Sequence, residues 1–532
     1  MTPVARWVPG AVGQPGRTMT EPPAVGAVPC GRPASWQGSG HGAAAVGAAV
    51  AAFGGIAAVR AQSSKTRFRP ARRRAGRGVQ PKVLLRAEAE VTRGFVSACS
   101  TAGQWEQAIE EVAEAAGTGY EAGFAFVSEL HVTLAQGLAP VLEKLRERLG
   151  VQTLVGCACG GSIGQAAGPG ALQYGGCSAD GDWPPIEVEA GGVLSVGLLR
   201  KAGATPFFIG AGDEGDVQLL QRKQEDGDVR SILLIADPFA PVEDILGRLD
   251  RSFPRAVKAG GLSAVLQVGS AERQAFMPSI AIATEGLPAR LCNQGAVGLL
   301  LSKVDVHSIV CQGCCGVGPP VRVTSVQGSV CDGIGGRPAQ EAVRLIFSSV
   351  DPPTRQKMQQ FLTIGLGNVG ESESTVGDGD WLIRTIGGVT PEGGLVIGGS
   401  IAEGQPLRFH VRDRESAEAD LALMLKRYRL ERSFSGASGE PMGAFLFTCN
   451  GRGEGLYGRR HVDARAAADA LGDACGTRVA GFFCNGEIGA PGLAVHGSAD
   501  DAEPAKRRGT ALHGFTAVFA LLVPVEEGAP AE

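Results

Sequence analysis

One pattern recurs along this chain, and it restricts the available folds more than any other feature. Gly123-Phe-Ala-Phe-Val127 matches Gly443-Ala-Phe-Leu-Phe447 at an offset of 320. Gly156-Cys-Ala-Cys-Gly-Gly-Ser-Ile-Gly164 matches Gly481-Phe-Phe-Cys-Asn-Gly-Glu-Ile-Gly489 at an offset of 325. Gly192-Val-Leu-Ser-Val-Gly-Leu-Leu199 matches Gly514-Phe-Thr-Ala-Val-Phe-Ala-Leu521 at an offset of 322. Between the first two segments each copy carries one helix that stops at a glycine, 140–149 before Gly150 and 462–471 before Gly472. Each copy thus reads strand–helix–strand–loop–strand, and a right-handed crossover sets its first two strands parallel. The expected fold class is α/β (mixed α+β). It has two duplicated strand–helix–strand modules, with largely parallel or mixed sheets flanked by helices, and the region 200–440 supplies further sheet and helices.

Local signals agree with that plan. Trp105, Ile109, Val112 and Ala116 share one helical face, with Thr101 as a candidate cap. Pro140 suits a helix start and Gly150 the left-handed residue that ends it. Residues 260–263 and 165–186 read as Gly-rich connections, and helices are expected at 338–348, 353–363 and 416–430. Glycine makes up 80 of the 532 residues, without a collagen-like period, so its role is in tight turns. No run of about 18 strongly apolar residues is present, so no integral membrane segment is expected.

Charge divides the chain. Residues 1–80 hold eleven of the 50 Lys and Arg and one of the 54 Asp and Glu, which leaves 39 against 53, a formal −14, on residues 81–532. An acidic body repels phosphate backbones, so nucleic acid is not an expected partner. The Ala-, Gly-, Pro- and Arg-rich leader, nearly free of acids, reads as an organelle transit segment. The expected location is the chloroplast or another plastid, with the cytoplasm as the alternative. Thirteen irregularly spaced cysteines do not form a disulfide framework.

Three segments carry a family resemblance: Phe445-Leu-Phe-Thr-Cys-Asn-Gly-Arg-Gly453, Val479-Ala-Gly-Phe-Phe-Cys-Asn-Gly-Glu-Ile-Gly489, and His513-Gly-Phe-Thr-Ala-Val. They resemble the C-terminal signature of FIST proteins (F-box and intracellular signal transduction). Gly404-Gln-Pro-Leu-Arg-Phe-His410 and Arg412-Asp413 fit the same module, and Val155-Gly-Cys, Glu187-Val-Glu189 and Ala236-Asp237-Pro238 look like the N-terminal one. The implied organisation is a leader at 1–80, a FIST N-terminal module at 90–285, a FIST C-terminal module at 286–525 and a tail at 526–532. The resemblance implies a sensory module for small ligands such as amino acids. Nothing before residue 90 reads as the F-box of eukaryotic relatives.

Candidate binding residues sit on two loops that follow buried strands, where α/β proteins place ligands. One is Cys449-Asn450-Gly451-Arg452, the other Cys484-Asn485-Gly486-Glu487. Arg452 suits a carboxylate and Glu487 an ammonium, so together they complement a zwitterion; alternatively the two pair with each other. Arg452 is also placed to lower the thiol pKa of Cys449. Cys157 and Cys159 are expected on opposite sides of their strand end. Cys311-Gln-Gly-Cys314-Cys315 contains a C-x-x-C, with only Cys331 and Cys292 as further zinc ligands. His131, His307, His410, His461, His496 and His513 are scattered, and any one is a conceivable haem ligand. No P-loop, nucleophile elbow or H-E-x-x-H is present. No catalytic residue, metal or cofactor is assigned. The reading is a small-ligand sensor with a possible protein partner; the alternatives are an enzyme using a cysteine/glutamate site and a scaffold that recruits a partner.

Overall fold

The computed structural model describes residues 94–167, 185–212, 229–270, 273–435, 439–471, 478–495 and 509–525. The expected leader and tail, most of the Gly-rich connection 165–186, and His496 lie outside the described residues.

Within them, one four-stranded unit occurs three times. The first unit comprises Phe95–Ser100, Ala122–Ser128, Thr153–Cys159 and Leu194–Leu199. The middle unit comprises Ala204–Gly210, Ser231–Ala236, Val257–Leu262 and Gly295–Leu301. The last comprises Val304–Cys311, Gly443–Cys449, Val479–Cys484 and Ala517–Pro524. Each is ordered third–second–fourth–first across its sheet. The second and third strands are parallel in every unit, because a helix crosses between them: Leu138–Leu149, Val242–Ser252 or Val462–Leu471. The fourth strand is antiparallel to both of its neighbours.

Register is shared as well. Ala125 pairs with Gly156 and Val196, Leu234 with Gly260 and Gly298, and Leu446 with Gly481 and Phe519. Ala125 therefore corresponds to Leu446, an offset of 321, one residue from the sequence alignment. The middle unit occupies a stretch that the sequence suggests only as additional sheet and helices.

The units close a ring. The strand Ser162–Ala167, which follows the first unit's third strand, pairs with the last unit's third strand. Glu487–Gly489 pairs with the middle unit's third strand, and Ile280–Thr284 with the first unit's. The same backbone bond seals each junction: Ala158 N–H to Ser279 O at 2.8 Å, Leu262 N–H to Gly486 O at 2.8 Å, and Phe483 N–H to Gly161 O at 3.0 Å.

The inner faces of the three units share one core, which includes Phe124, Phe126, Leu233, Ile235, Phe445, Phe447 and Phe482. Phe126 stacks on Phe482 at 5.0 Å and Phe124 meets Phe445 edge-on at 5.2 Å. Helices cover the outer faces. Val141, Leu142, Leu145 and Leu149 are fully buried, each contributing about 1.5–3 kcal/mol, and Gly150 ends that helix at φ 58°. Gly260 and Gly481 are obligatory: a Cβ would lie 1.8 Å from the carbonyl oxygen of Leu234 or Leu446.

A small barrel interrupts the last unit between its first and second strands. Its strands are Cys314–Gln327, Pro406–Arg412, Leu362–Leu366, Leu382–Val389, Leu395–Ile397 and Val330–Ile334, and the first pairs with the last to close it. Helix Arg414–Ser435 leads back to the sheet.

Several local expectations change. The first helix begins at Trp105 behind Gln104, not at a Thr101 cap. Cys157 and Cys159 face the same core, since residues two apart on a strand share a face. Gly260 and Gly261 lie inside a strand, Ser162–Ala167 is a strand before the Gly-rich loop, and the helix expected at 353–363 stops at Gln360 so that 362–366 joins the barrel.

Candidate ligand site at the strand ends of the last unit

The second strand of each unit ends in the same way. Ser128 N–H donates to Val193 O, Asp237 N–H to Gly295 O, and Cys449 N–H to Thr516 O, at 2.9, 2.9 and 3.0 Å. In the first two units the side chain there also closes nearby amides. Ser128 Oγ accepts from Val193 N–H, and the Asp237 carboxylate accepts from Gln294 and Phe239 N–H. The last unit has Cys449 instead. Its sulfur accepts from Gly451 N–H at 3.4 Å and from the Phe515 backbone, and the Thr516 amide turns to Glu487.

Glu487 is fully buried. Its Oε2 accepts from the Thr516 hydroxyl at 2.8 Å and from the Thr516 amide at 3.2 Å, while Oε1 has no partner among the described residues. Burial pushes its pKa up to about 8, against the lowering effect of those bonds, so the carboxyl is mostly neutral at pH 7. Burial also pushes the Cys449 thiol up to about 12 and the Cys484 thiol well above its ordinary range. Arg452 therefore does not activate Cys449.

Arg452 serves the interior. Its Nε and Nη2 fork onto Asp463 at 2.8 and 2.9 Å, Nη2 also reaches the Tyr457 hydroxyl, and Nη1 donates to Gln312 O at 3.2 Å. Tyr457 and Thr448 add hydroxyl donors to the same carboxylate, each at 2.9 Å. Burial opposes the Asp463 charge, but Arg452 and these donors hold its pKa below the ordinary value. Arg452 thus neither offers a free fork to a ligand nor ion-pairs with Glu487. It anchors the loop.

Asn450 and Asn485 are exposed and adjacent. Asn450 Nδ2 donates to Asn485 Oδ1 at 2.8 Å, Asn450 N–H to Cys484 O at 2.9 Å, and Asn485 Nδ2 to Ser263 O at 2.8 Å. The two predicted loops therefore meet and are tied to the middle unit. Gly486 is buried between them and the Leu262 and Leu512 side chains, which a Cβ would approach to 3.0 Å.

Sequence reasoning does not single out Arg412 as a site residue. It ends the barrel strand Pro406–Arg412, paired with Cys314, and its guanidinium lies 3.4–3.5 Å from where a Cβ on Gly451 would sit. Its Nη2 is buried without a partner among the described residues, and burial pushes its pKa below the ordinary arginine value. Gln312 Oε1 nearby is likewise unpartnered. The neighbouring Asp413 offers no counter-charge, because it binds Lys357 and Ser416. The Arg412-Asp413 pair was visible in sequence, but which member stays unpaired depends on tertiary contacts.

Cys311, Cys314, Cys331 and Cys292 each pack in a different hydrophobic cluster. Among the described residues, no three His, Cys, Asp or Glu are placed to hold a metal ion. His131, His307, His410, His461 and His513 are buried and bonded to Ala102 O, the Tyr428 hydroxyl, Arg408 O, Glu187 N–H and Gly489 O. No helix of the described residues is long and apolar enough to cross a membrane.

Two family models match the chain, the FIST N domain over residues 121–337 and the FIST C domain over residues 341–490. The division between them falls inside the barrel, whose strand Cys314–Gln327 pairs with Pro406–Arg412 across it. Relatives include the uncharacterized protein Rv0628c of Mycobacterium tuberculosis, 34% identical over 343 residues, 63% of this chain and 80% of that protein. The uncharacterized protein Mb0898c of Mycobacterium bovis is 36% identical over 230 residues, 43% of this chain and 53% of that protein.

Proposed function

Because the chain belongs to the FIST family, which is linked to signal transduction, we propose that it is a sensor that binds a small ligand at the strand ends of its last unit and relays that state to a protein partner. One observation carries this reading. At the strand ends of the last unit, Arg412 Nη2, beside Gly451, and Glu487 Oε1, two residues after the exposed Asn485, are buried without partners among the described residues. Buried polar groups ordinarily find partners, so a cluster of orphans favours an occupant that supplies them. An amino acid or a similar small molecule suits such a site.

A cysteine enzyme is a poorer reading, since the nucleophile is the thiolate and burial keeps Cys449 protonated. The shared register of the units supports descent from one repeated strand–helix–strand element. Plastid delivery rests on the composition of residues 1–80.

Thermal unfolding of the full chain with pools of amino acids and small carboxylic acids tests the proposal. A pool that raises the midpoint in the native protein, but not in Asn450→Ala/Asn485→Ala, supports binding here. A shift that survives the double substitution places the ligand elsewhere.

A further inference from the structure

Building on the ligand-sensor reading, we infer that Arg412 anchors the ligand, which is a small carboxylate anion held by its single guanidinium beside Asn450 and Gly451. The barrel strand Pro406–Arg412 delivers this side chain to the loop of another part of the fold. Its Nη2 is buried and unpartnered, and among the described residues no carboxylate pairs with it. Two acids of this region are engaged elsewhere: Asp463 by Arg452, and Asp413 by Lys357 and Ser416. A half-buried guanidinium without a counter-charge is retained at the expense of stability, and a planar carboxylate accepts two parallel N–H bonds from it.

The charge balance selects the ligand class. Arg452 is occupied, so the site offers one positive charge, which suits a monoanion better than a phosphate dianion. Glu487 is fully buried, with Oε2 bound to Thr516 and Oε1 free. In its neutral form it donates a hydrogen bond and gives an ammonium group no counter-charge. The carboxylate is therefore what is recognised.

The test titrates the full chain by calorimetry with matched pairs, lactate against alanine and glycolate against glycine, and with inorganic phosphate. At least one carboxylate of these pairs is expected to bind more tightly than phosphate. Arg412→Gln is expected to weaken it by about tenfold or more, with Arg412→Lys intermediate. Because Arg412 Nη2 has no partner among the described residues, Arg412→Gln is also expected to hold or raise the unliganded melting temperature, whereas a structural role would lower it. Tighter binding of phosphate, or undiminished binding by Arg412→Gln, overturns the inference. If only uncharged compounds bind, through Asn450 and Asn485, the inference falls and the sensor reading stands. If nothing binds, both fall.

Discussion

Arg452 grips both oxygens of Asp463, eleven residues further along the chain, in an ion pair that is 1% and 2% exposed at its two side chains. The pair fastens the loop after one strand to the first turn of the helix Val462–Leu471. On the other side of that helix start, Glu187 accepts from His461 and Ala464 N–H at 2.9 and 2.7 Å, while its own N–H donates to His461 Nδ1. A strand of the N-terminal half thus caps a helix of the C-terminal half.

Removing one partner of the buried pair leaves a charge without compensation. Asp463→Ala is expected to destabilise the protein by about 3–5 kcal/mol, read as the shift in urea midpoint. Adding Arg452→Met should recover much of the loss. An exposed surface pair would change stability by less than about 1 kcal/mol.

Two buried acids contribute to the pH response. Burial pushes Glu487 up to about 8, and burial with the charge of Asp463 does the same for Glu187. The unfolded chain releases these protons near the ordinary glutamate pKa of about 4.3, so between there and about 8 the native state holds more protons. Their contribution to stability is fully present at the acid end of that window and falls as pH rises through it. Glu487→Gln is expected to flatten the slope of unfolding midpoint against pH from 5 to 8 (roughly the window set by these pKa values). An unchanged slope would exclude Glu487 as a contributor.

Gly260→Ala and Gly481→Ala are each expected to cost about 3 kcal/mol, because the new methyl carbon would meet the Leu234 or Leu446 carbonyl oxygen at 1.8 Å. Gly455, around which a Cβ meets nothing within 4 Å, is the matched control. Chemical denaturation separates them.

Cys449 and Cys484 should resist alkylation in the native state at pH 8, since burial pushes both thiols well above that pH. Mass spectrometry should find them labelled only when the chain unfolds. Rapid native labelling of Cys449 would restore the case for a thiol enzyme.

Much of the fold could be read from sequence where periodicity and punctuation coincide. The stripe Val141, Leu142, Leu145, Leu149 with Gly150 behind it defines a helix without further information. The middle unit was hidden because its third strand, Val-Lys-Ala-Gly-Gly-Leu, looks like a turn. Gly260 is there to let a neighbouring carbonyl approach, and buried Lys258 is satisfied by Asp250, Phe253 O and Ala256 O. The strand Leu362–Leu366 was hidden by the helix that runs almost directly into it. The two loops that sequence pairs do meet, Asn450 on Asn485, since strand ends are where such loops converge. Sequence misjudged the charges because an arginine in Asn-Gly-Arg-Gly looks solvent-facing until Asp463 and Tyr457 are placed around it. That Arg412 Nη2 lacks a partner among the described residues is likewise a property of the assembled fold.

A crystal structure of the full chain soaked in lactate addresses the binding site most directly. The expected result is a carboxylate lying in plane with the Arg412 guanidinium, beside Asn450 and Gly451. Arg412 found paired with a carboxylate of the chain itself, or lactate bound only elsewhere, would contradict it.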